Sequence, residues 1–426
     1  MNYMRFINCL SQARKRSPIR LMTEILYKSP PTLISMASGM PNATQFPFQE
    51  ATFKLTDGTS VDIASADMKK ALQYNPTPGI APLHSWLMEL QQHLHNPPTF
   101  GMTEGEQKMD LLVTTGSQHG LCMAFEMLLK QGDKVLVSSP IYSGTRSILE
   151  PYSTDYLIVE SDENGMKPES LKSKLSRWSK DDIKDENSDI PKILYTVPNG
   201  DNPSGVSLTA ERREEIYKIC QDYNLIIIED DPYYFLQFNK PRFPSFLSID
   251  VDGRVLRFDS FSKVLSAGIR VGFVSGPRAL IYRIQLHMEA SVLHSSAVSQ
   301  MIIFKLLEKW GLNGFISHTE KVAEFYLQRR DVMLKATEKW LTGLAEWNVP
   351  MGGMFLWIKL PGIKDTKDLI MRKALEKEVL FVPGDVFQLS EGPSQYVRAC
   401  FSMCTDEAMD EGMRRLASLI KDEQAQ

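Results

Sequence analysis

The chain reads as an α/β protein: a large domain with a mostly parallel, mixed sheet sandwiched by helices, followed by a smaller α+β domain. Three observations predict it. In the middle of the chain short β-branched runs alternate with helical patterns, which is the signature of βαβ units. After about Pro277 the pattern changes to long helical stretches, two isolated strand candidates and a last helix. A length of 426 residues, with 43% hydrophobic and 23% charged content, is enough for two or three domains with a large core.

The stretch before about Gly79 is rich in Pro and Gly and shows no clear period, so it is expected to be an arm across the rest of the protein. The alternation then begins: LLVTTG, a strand, leads into the helical SQHGLCMAFEMLLK, and KVLVSSP precedes a short helix. YLIVES precedes PESLKSKLSRW, KILYTVPNG precedes TAERREEIYKICQDY, and LIIIEDDPYY precedes VLRFDSFSK and IRVGFVSGP. Strict alternation implies parallel strands, whose carboxyl ends are where such sheets bind ligands. Helices are then expected from about Gln285 to Lys309 and from His318 to Trp340. FLWIKL and YVRACFS are strand candidates, and TDEAMDEG opens the last helix with an acid-rich cap. The expected division is residues 1–45 as the arm, 46–310 as the large domain and 311–426 as the small one.

With 48 Lys and Arg against 52 Asp and Glu, the net charge of -4 argues against a nucleic-acid partner and for a small molecule. Five cysteines in no CxxC or zinc spacing suit a reducing compartment. No apolar run approaches the roughly 18 residues needed to cross a bilayer, so a soluble protein without a membrane partner is expected. Residues 1–23 carry Arg5, Arg14, Lys15, Arg16 and Arg20 with no acid before Glu24, a composition that matches a mitochondrial presequence; a cytoplasmic protein with a basic arm is the alternative. KDDIKDENSD, 180–189, reads as a solvated loop.

Five segments carry chemistry. TTGSQHG, 114–120, puts a helix start right after a strand, where free N–H groups suit an anion; an ordinary Ser117 N-cap is the plainer alternative. LIIIEDDPYY ends a buried strand in Glu229, Asp230 and Asp231, acids that could bind a metal, act as a base, pair with a cationic ring nitrogen or simply cap a turn. TVPNGDNPSG has turn chemistry around Asn202. In DSFSKVLSAGIRVGF, Lys263 follows an apolar run and precedes Arg270. Partial desolvation near a second cation makes an amine nucleophilic, and Ser260, Ser262 and Arg270 supply donors for a phosphate, though alone Lys263 also reads as a snorkelling surface residue. In QYVRACFS, Arg398 is costly in a strand unless it pairs with an internal acid or a bound carboxylate.

Taken in this order, the segments resemble the fold-type-I pyridoxal-phosphate aminotransferases over nearly the whole chain. GMPN, QYNPTPGI, TTGSQHG, YTVPNGDNPSG, IIIEDDPYYFLQF, SFSK and GGMFLWIKLPG are similar to the mitochondrial branch of that family that acts on kynurenine and 2-aminoadipate, in lysine and tryptophan catabolism. The resemblance implies an amino transfer to 2-oxoglutarate or other 2-oxo acids through a ping-pong aldimine and ketimine route, with no metal. Lys263 would form the Schiff base with pyridoxal 5'-phosphate and then carry the proton. Asp230 would pair with the ring nitrogen, and Tyr233 and Asn202 would bond the phenolic oxygen. Ser117, Gln118, Ser260, Ser262 and Arg270 would hold the phosphate, and Tyr142 would stack on the ring. Tyr74 would reach the phosphate of a neighbouring subunit, implying a homodimer with shared active sites. Arg398 would clamp the substrate α-carboxylate with Asn202 assisting and Tyr142 and Tyr74 alongside, while Gly39 and Arg20 of the arm would close over its distal end. Processing of a presequence would then have to stop before residue 20.

Ser38, His119 and Asp201 depart from the family pattern at positions bordering ligands. A β-lyase on the same fold would keep the same cofactor residues. A cofactor-sensing regulator would need a winged-helix domain, for which fewer than about 80 residues precede the large domain and which their pattern does not match.

Overall fold

The computed structural model describes residues 1–30, 32–37, 39–179, 181–185 and 188–425. Ser38, and Lys180, Glu186 and Asn187 of the charged 180–189 loop, lie outside them. The chain divides into two compact units, one of residues 1–130, 226–232 and 245–318, the other of 131–225, 233–244 and 319–426.

In the first unit the strands run in the order Met109–Thr114, Gly272–Pro277, Val255–Ser260, Ile226–Asp230. All five residues of Ile226–Asp230 are buried, as expected for a strand covered on both faces. It pairs in parallel with Val255–Ser260, Asp230 standing opposite Phe258. Strict alternation fails at the next step: no α-helix separates Val255–Ser260 from Gly272–Pro277, only a single 3-10 turn, and the latter strand is antiparallel to both its neighbours. The loop that replaces the crossover helix is the one that carries Lys263.

The N-terminal region is more regular than its composition suggests. Ser17 caps a helix, Pro18–Lys28, with Pro at its first position, and a small antiparallel hairpin pairs Ala51–Lys54 with Ser60–Ile63. The helix expected over 285–309 is instead two, Arg278–Ser291 and one opening at Ala297. Between them Leu293 takes a left-handed φ of 63°, and both ring nitrogens of His294 are engaged, one with the Asn75 N–H and one with the Ser295 carbonyl. The apolar spacing on either side of this break continues in register, which is why it reads as one helix. The second stretch, Ala297–Leu341, is itself interrupted at Gly311, where φ is 63° and ψ 176°.

In the second unit Ile193–Thr196, Lys134–Ser138 and Asp155–Val159 pair in parallel. A separate antiparallel sheet orders Glu346–Trp347, Phe355–Lys359, Tyr396–Cys400 and Val382–Pro383. Its apolar face, with Leu356, Ile358, Val397 and Ala399, packs on Met413, Leu416 and Ile420 of the last helix, Asp406–Gln424. Thr405 caps that helix by accepting from the Ala408 N–H at 3.2 Å, with Asp406 and Glu407 in the first turn, where acids favour the dipole. No described helix is long and apolar enough to cross a membrane.

Candidate active site

The first unit holds the lysine. The chain leaves Val255–Ser260 through a tight turn, Phe261–Lys263, in which the Ser260 hydroxyl accepts from the Ser262 N–H at 3.1 Å. The Phe261 N–H donates to the Val271 carbonyl at 3.2 Å and closes the loop. Lys263 is half-buried. Arg270 takes a left-handed φ of 55°, a conformation that costs a non-glycine residue on the order of 1 kcal/mol. Its Nη1 donates to Ser262 Oγ at 3.3 Å and to the Ala267 carbonyl at 3.2 Å. The rest of its guanidinium occupies the space where a side chain at Gly116 would begin. Among the described residues no carboxylate pairs with it.

Gly116, with φ 78°, is the N-cap of the helix Ser117–Leu128, and no side chain caps that helix. Ser117 is therefore the first helical residue and not the cap its residue type suggests. A glycine is required because Arg270 fills the side-chain volume and the backbone is left-handed. An uncapped helix start, two serine hydroxyls and an unneutralised guanidinium make a cradle for a doubly charged anion. The Thr115 N–H donates to His119 Nδ1 at 3.4 Å, and burial pulls the His119 imidazole below its usual range.

The three consecutive acids separate into two roles. Glu229 and Asp231 turn to Arg257, whose Nη1 lies 3.1 Å from Glu229 Oε1 and 2.9 Å from Asp231 Oδ2. Asp259 completes the cluster, accepting from Arg257 Nε at 3.0 Å and Nη2 at 2.8 Å. Glu229 also accepts from the N–H groups of Phe246 and Leu247 at 2.8 and 3.2 Å. Desolvation opposes the Arg257 charge, but Asp259, Glu229 and Asp231 outweigh it and hold the guanidinium protonated. Burial pushes the Asp259 carboxyl up to about 6, with Arg257 pulling it back. Asp230, between the two, falls on the other side of its strand and remains the candidate for a ring nitrogen. Sequence reading missed Arg257. Its signal was the period-two pairing of Arg257 and Asp259 with Glu229 and Asp231 on adjacent parallel strands.

Arg20 is buried on the helix Pro18–Lys28, its Nη2 donating to the Asn75 carbonyl and its Nε to Thr77 Oγ1 at 3.3 Å. It lines a cavity of about 1050 Å³ with Arg16, Tyr27, His84 and Glu289. Tyr74, half-exposed, is linked to the same helix because its carbonyl accepts from the Tyr27 hydroxyl at 2.8 Å, and its ring stands edge-on to His294. The structure thus brings Arg20 and Tyr74 to one loop, 74–77. Gly39 is exposed, with no heavy atom near where a side chain would start.

The second unit gathers Tyr142, Asn202, Tyr233 and Arg398. Arg398 Nη1 donates to Asn202 Oδ1 at 2.8 Å, and its guanidinium lies over the rings of Phe355 and Phe387 at 4.3 and 5.0 Å. Its Nε is buried without a hydrogen-bond partner. Desolvation lowers its basicity, with Cys400, Tyr233 and Tyr142 acting in the opposite direction. Tyr233 stands edge-on to Phe355 at 6.1 Å. The Tyr142 ring lies against Gly144, where a Cβ would fall 2.5 Å from it, and the Ile141 N–H is held by the Phe387 carbonyl at 2.9 Å. The partner question left open by the sequence is answered within this unit: Arg398 bonds an uncharged amide and carries a buried donor to spare.

Two backbone bonds brace the Asn202 loop. The Asp201 N–H donates to the Val206 carbonyl at 2.9 Å and the Gly205 N–H to the Asp201 carbonyl at 2.7 Å. Gly200 packs on Gly353 so closely that neither has room for a side chain. GGMF at 352–355 thereby also seats Phe355.

The sequence and the fold match known proteins. The family described as aminotransferase class I and II matches residues 32–416. The chain is 52% identical over 423 residues to the kynurenine/alpha-aminoadipate aminotransferase, mitochondrial, of Bos taurus, covering 99% of this chain and all of that one. The mitochondrial description of this relative agrees with the location expected from the basic first 23 residues. Among solved structures it is similar to the aminotransferase Aro8 of Candida albicans, with a TM-score of 0.86, 26% identity and coverage of 100% and 99%. It is also similar to a kynurenine aminotransferase of Pyrococcus horikoshii solved with PMP, with a TM-score of 0.76, 30% identity and coverage of 99% and 98%. An amine on a loop beside an anion cradle is the donor set that pyridoxal phosphate needs, and the residues of the first unit fit it in charge and chemistry. The chain belongs to the class I and II aminotransferase family and is a pyridoxal-phosphate-dependent enzyme.

Proposed function

We propose that the chain moves the amino group of L-kynurenine, L-2-aminoadipate and other amino acids to 2-oxoglutarate or another 2-oxo acid, in two half-reactions, inside the mitochondrion. The observation that carries the reading is Arg398, a guanidinium held between two aromatic rings with a buried Nε to spare, which suits the α-carboxylate common to every such substrate. The names of the relatives support the two donors.

In this reading the bound cofactor supplies an aldehyde carbon and a ring that takes up the electron pair left when the substrate loses its α-proton. Everything else falls to the chain. Ser117, Gln118, Ser260, Ser262 and Arg270 hold the phosphate, and Tyr142 covers the ring. Asp230, as an anion, keeps a proton on the ring nitrogen, which Tyr233 and Asn202 complement from the phenolic oxygen. Asn202 Oδ1 is committed to Arg398, so its Nδ2 is the group that donates. Lys263 Nζ anchors the cofactor at rest and, once displaced by the substrate amine, removes the α-proton and returns it on the other side of the C–N bond. Arg398 and Asn202 orient the α-carboxylate, and Arg20, with Gly39, meets the distal carboxylate of 2-aminoadipate or 2-oxoglutarate. Tyr74 serves the phosphate of a second copy, so the working form is a homodimer with residues 1–45 as its arm, 46–310 as large domain and 311–426 as small.

The test is spectral. The purified holoenzyme should show a visible band that L-2-aminoadipate, added without an acceptor, discharges, and Lys263→Ala should abolish that response. A colourless protein, or one whose colour and response survive Lys263→Ala, would overturn the reading.

A further inference from the structure

One carboxyl in the second unit is not used by the chemistry above. Asp201 sits immediately before Asn202, and its Oδ2 accepts from Ser204 Oγ at 2.6 Å across the turn. Ser204 Oγ in turn accepts from the Val206 N–H at 3.3 Å. This is the side-chain bond that crosses the 201–206 turn, and the turn carries the amide that Arg398 grips. Asp201 and Ser204 also line a cavity of about 410 Å³ on the same unit. Trp357 and Tyr396, which stack at 5.0 Å, form another wall, and Trp357 stands directly opposite Arg398 on the neighbouring strand. The cavity therefore flanks the Asn202–Arg398 pair.

We propose that Asp201, through its bond to Ser204, is a positioning residue that fixes the Asn202 amide and so sets how tightly Arg398 receives carboxylate substrates. The inference rests on Arg398 being the carboxylate clamp. The other ionisable groups on the cavity are Glu163, Tyr396 and Asp162, and Arg212 neutralises Asp162 through two bonds. Among the described residues that line the cavity there is no lysine, arginine or histidine. No described cationic residue of the cavity lining thus offsets a charge on Asp201, and desolvation pushes its carboxyl up to about 6, the Ser204 and Asn202 bonds acting against the shift.

The sign follows. Above about pH 6 the ionised carboxylate makes a charge-assisted bond to Ser204; below it the carboxyl is neutral and the bond weakens. KM for amino and oxo acids should rise as pH falls through that value while kcat holds. The same raised pKa means that ionised Asp201 opposes folding above about pH 6, since the folded state holds its proton longer than the unfolded chain does. A residue kept for stability would not be ionised there.

The experiment measures KM, kcat and Tm of the holoenzyme from pH 5 to 8 for L-2-aminoadipate and 2-oxoglutarate. Asp201→Asn should raise KM about fivefold at pH 7.5, flatten its pH dependence around 6, leave kcat nearly unchanged and leave Tm equal or higher. Ser204→Ala removes the partner through which Asp201 acts, so it should raise KM and flatten the acid limb as Asp201→Asn does. The proposal fails if Asp201→Asn follows the wild-type KM profile, if its Tm and kcat fall while KM stays, or if Ser204→Ala keeps the wild-type acid limb. Arg398→Lys separates the two levels: an unchanged KM there defeats the clamp itself, whereas a raised KM with an inert Asp201→Asn defeats only the role given to Asp201.

Discussion

Arg257 and Arg398 both sit on strands and both are withdrawn from water, yet they are built for different purposes. Around Arg257 three carboxylates and two backbone N–H groups close a network fully inside the first unit. Around Arg398 there is one amide oxygen, two aromatic rings and a buried Nε with no partner. The first arrangement is complete without a ligand, and the second lacks an anion. A buried charge that is paired by its own chain serves structure; one left short of acceptors suits a ligand that brings them, which is the role proposed for Arg398.

The contrast can be broken by substitution. Arg257→Met leaves three carboxylates without their counter-charge and should cost about 3 to 5 kcal/mol of stability, read as a lower urea midpoint; a change below about 1 kcal/mol would show that the network is slack. Arg398→Ala should do the reverse, leaving the urea midpoint near wild type while kcat/KM falls by about 2 to 5 kcal/mol for every amino acid alike. A selective loss for one substrate would assign Arg398 to a side chain instead. The smallest effect belongs to the rings: Phe387→Leu keeps apolar bulk but removes a cation–π face worth about 0.5 to 2 kcal/mol, so KM should rise modestly with kcat unchanged. A larger fall in kcat than in KM would mean that Phe387 acts on the reacting atoms.

The two arginines also show what a sequence discloses. The Ile226–Asp230 strand was legible because a continuous apolar run ending in acids has few other readings, and Lys263 was legible because it follows such a run beside Arg270. The partners of Arg257 were not, because they depend on which strands become neighbours, which pairs residue 257 with 229 and 231. The helix start at Ser117 was legible, but the alternative of a Ser117 cap stayed open because local preference ranks serine above glycine, whereas Arg270, distant in sequence, fills the space a side chain at Gly116 would need. The Pro18–Lys28 helix was missed although Ile19, Met22 and Ile25 recur at helical spacing; in the chain this apolar face is exposed and the buried residues are Arg20 and Thr23, the inverse of a core-facing helix. The halt at Val292–Ser296 was missed because it is set by a histidine bonded to a distant backbone N–H.

The missing crossover between Val255–Ser260 and Gly272–Pro277 has a mechanical meaning. A helix there would have spread its two ends over some distance and let them drift separately. A short loop strapped at both ends by an antiparallel ladder instead holds Lys263 next to Ser262, to which Arg270 is bonded. Under the role proposed for Lys263, one rigid bracket would carry both the moving amine and the fixed donors that moor its cargo.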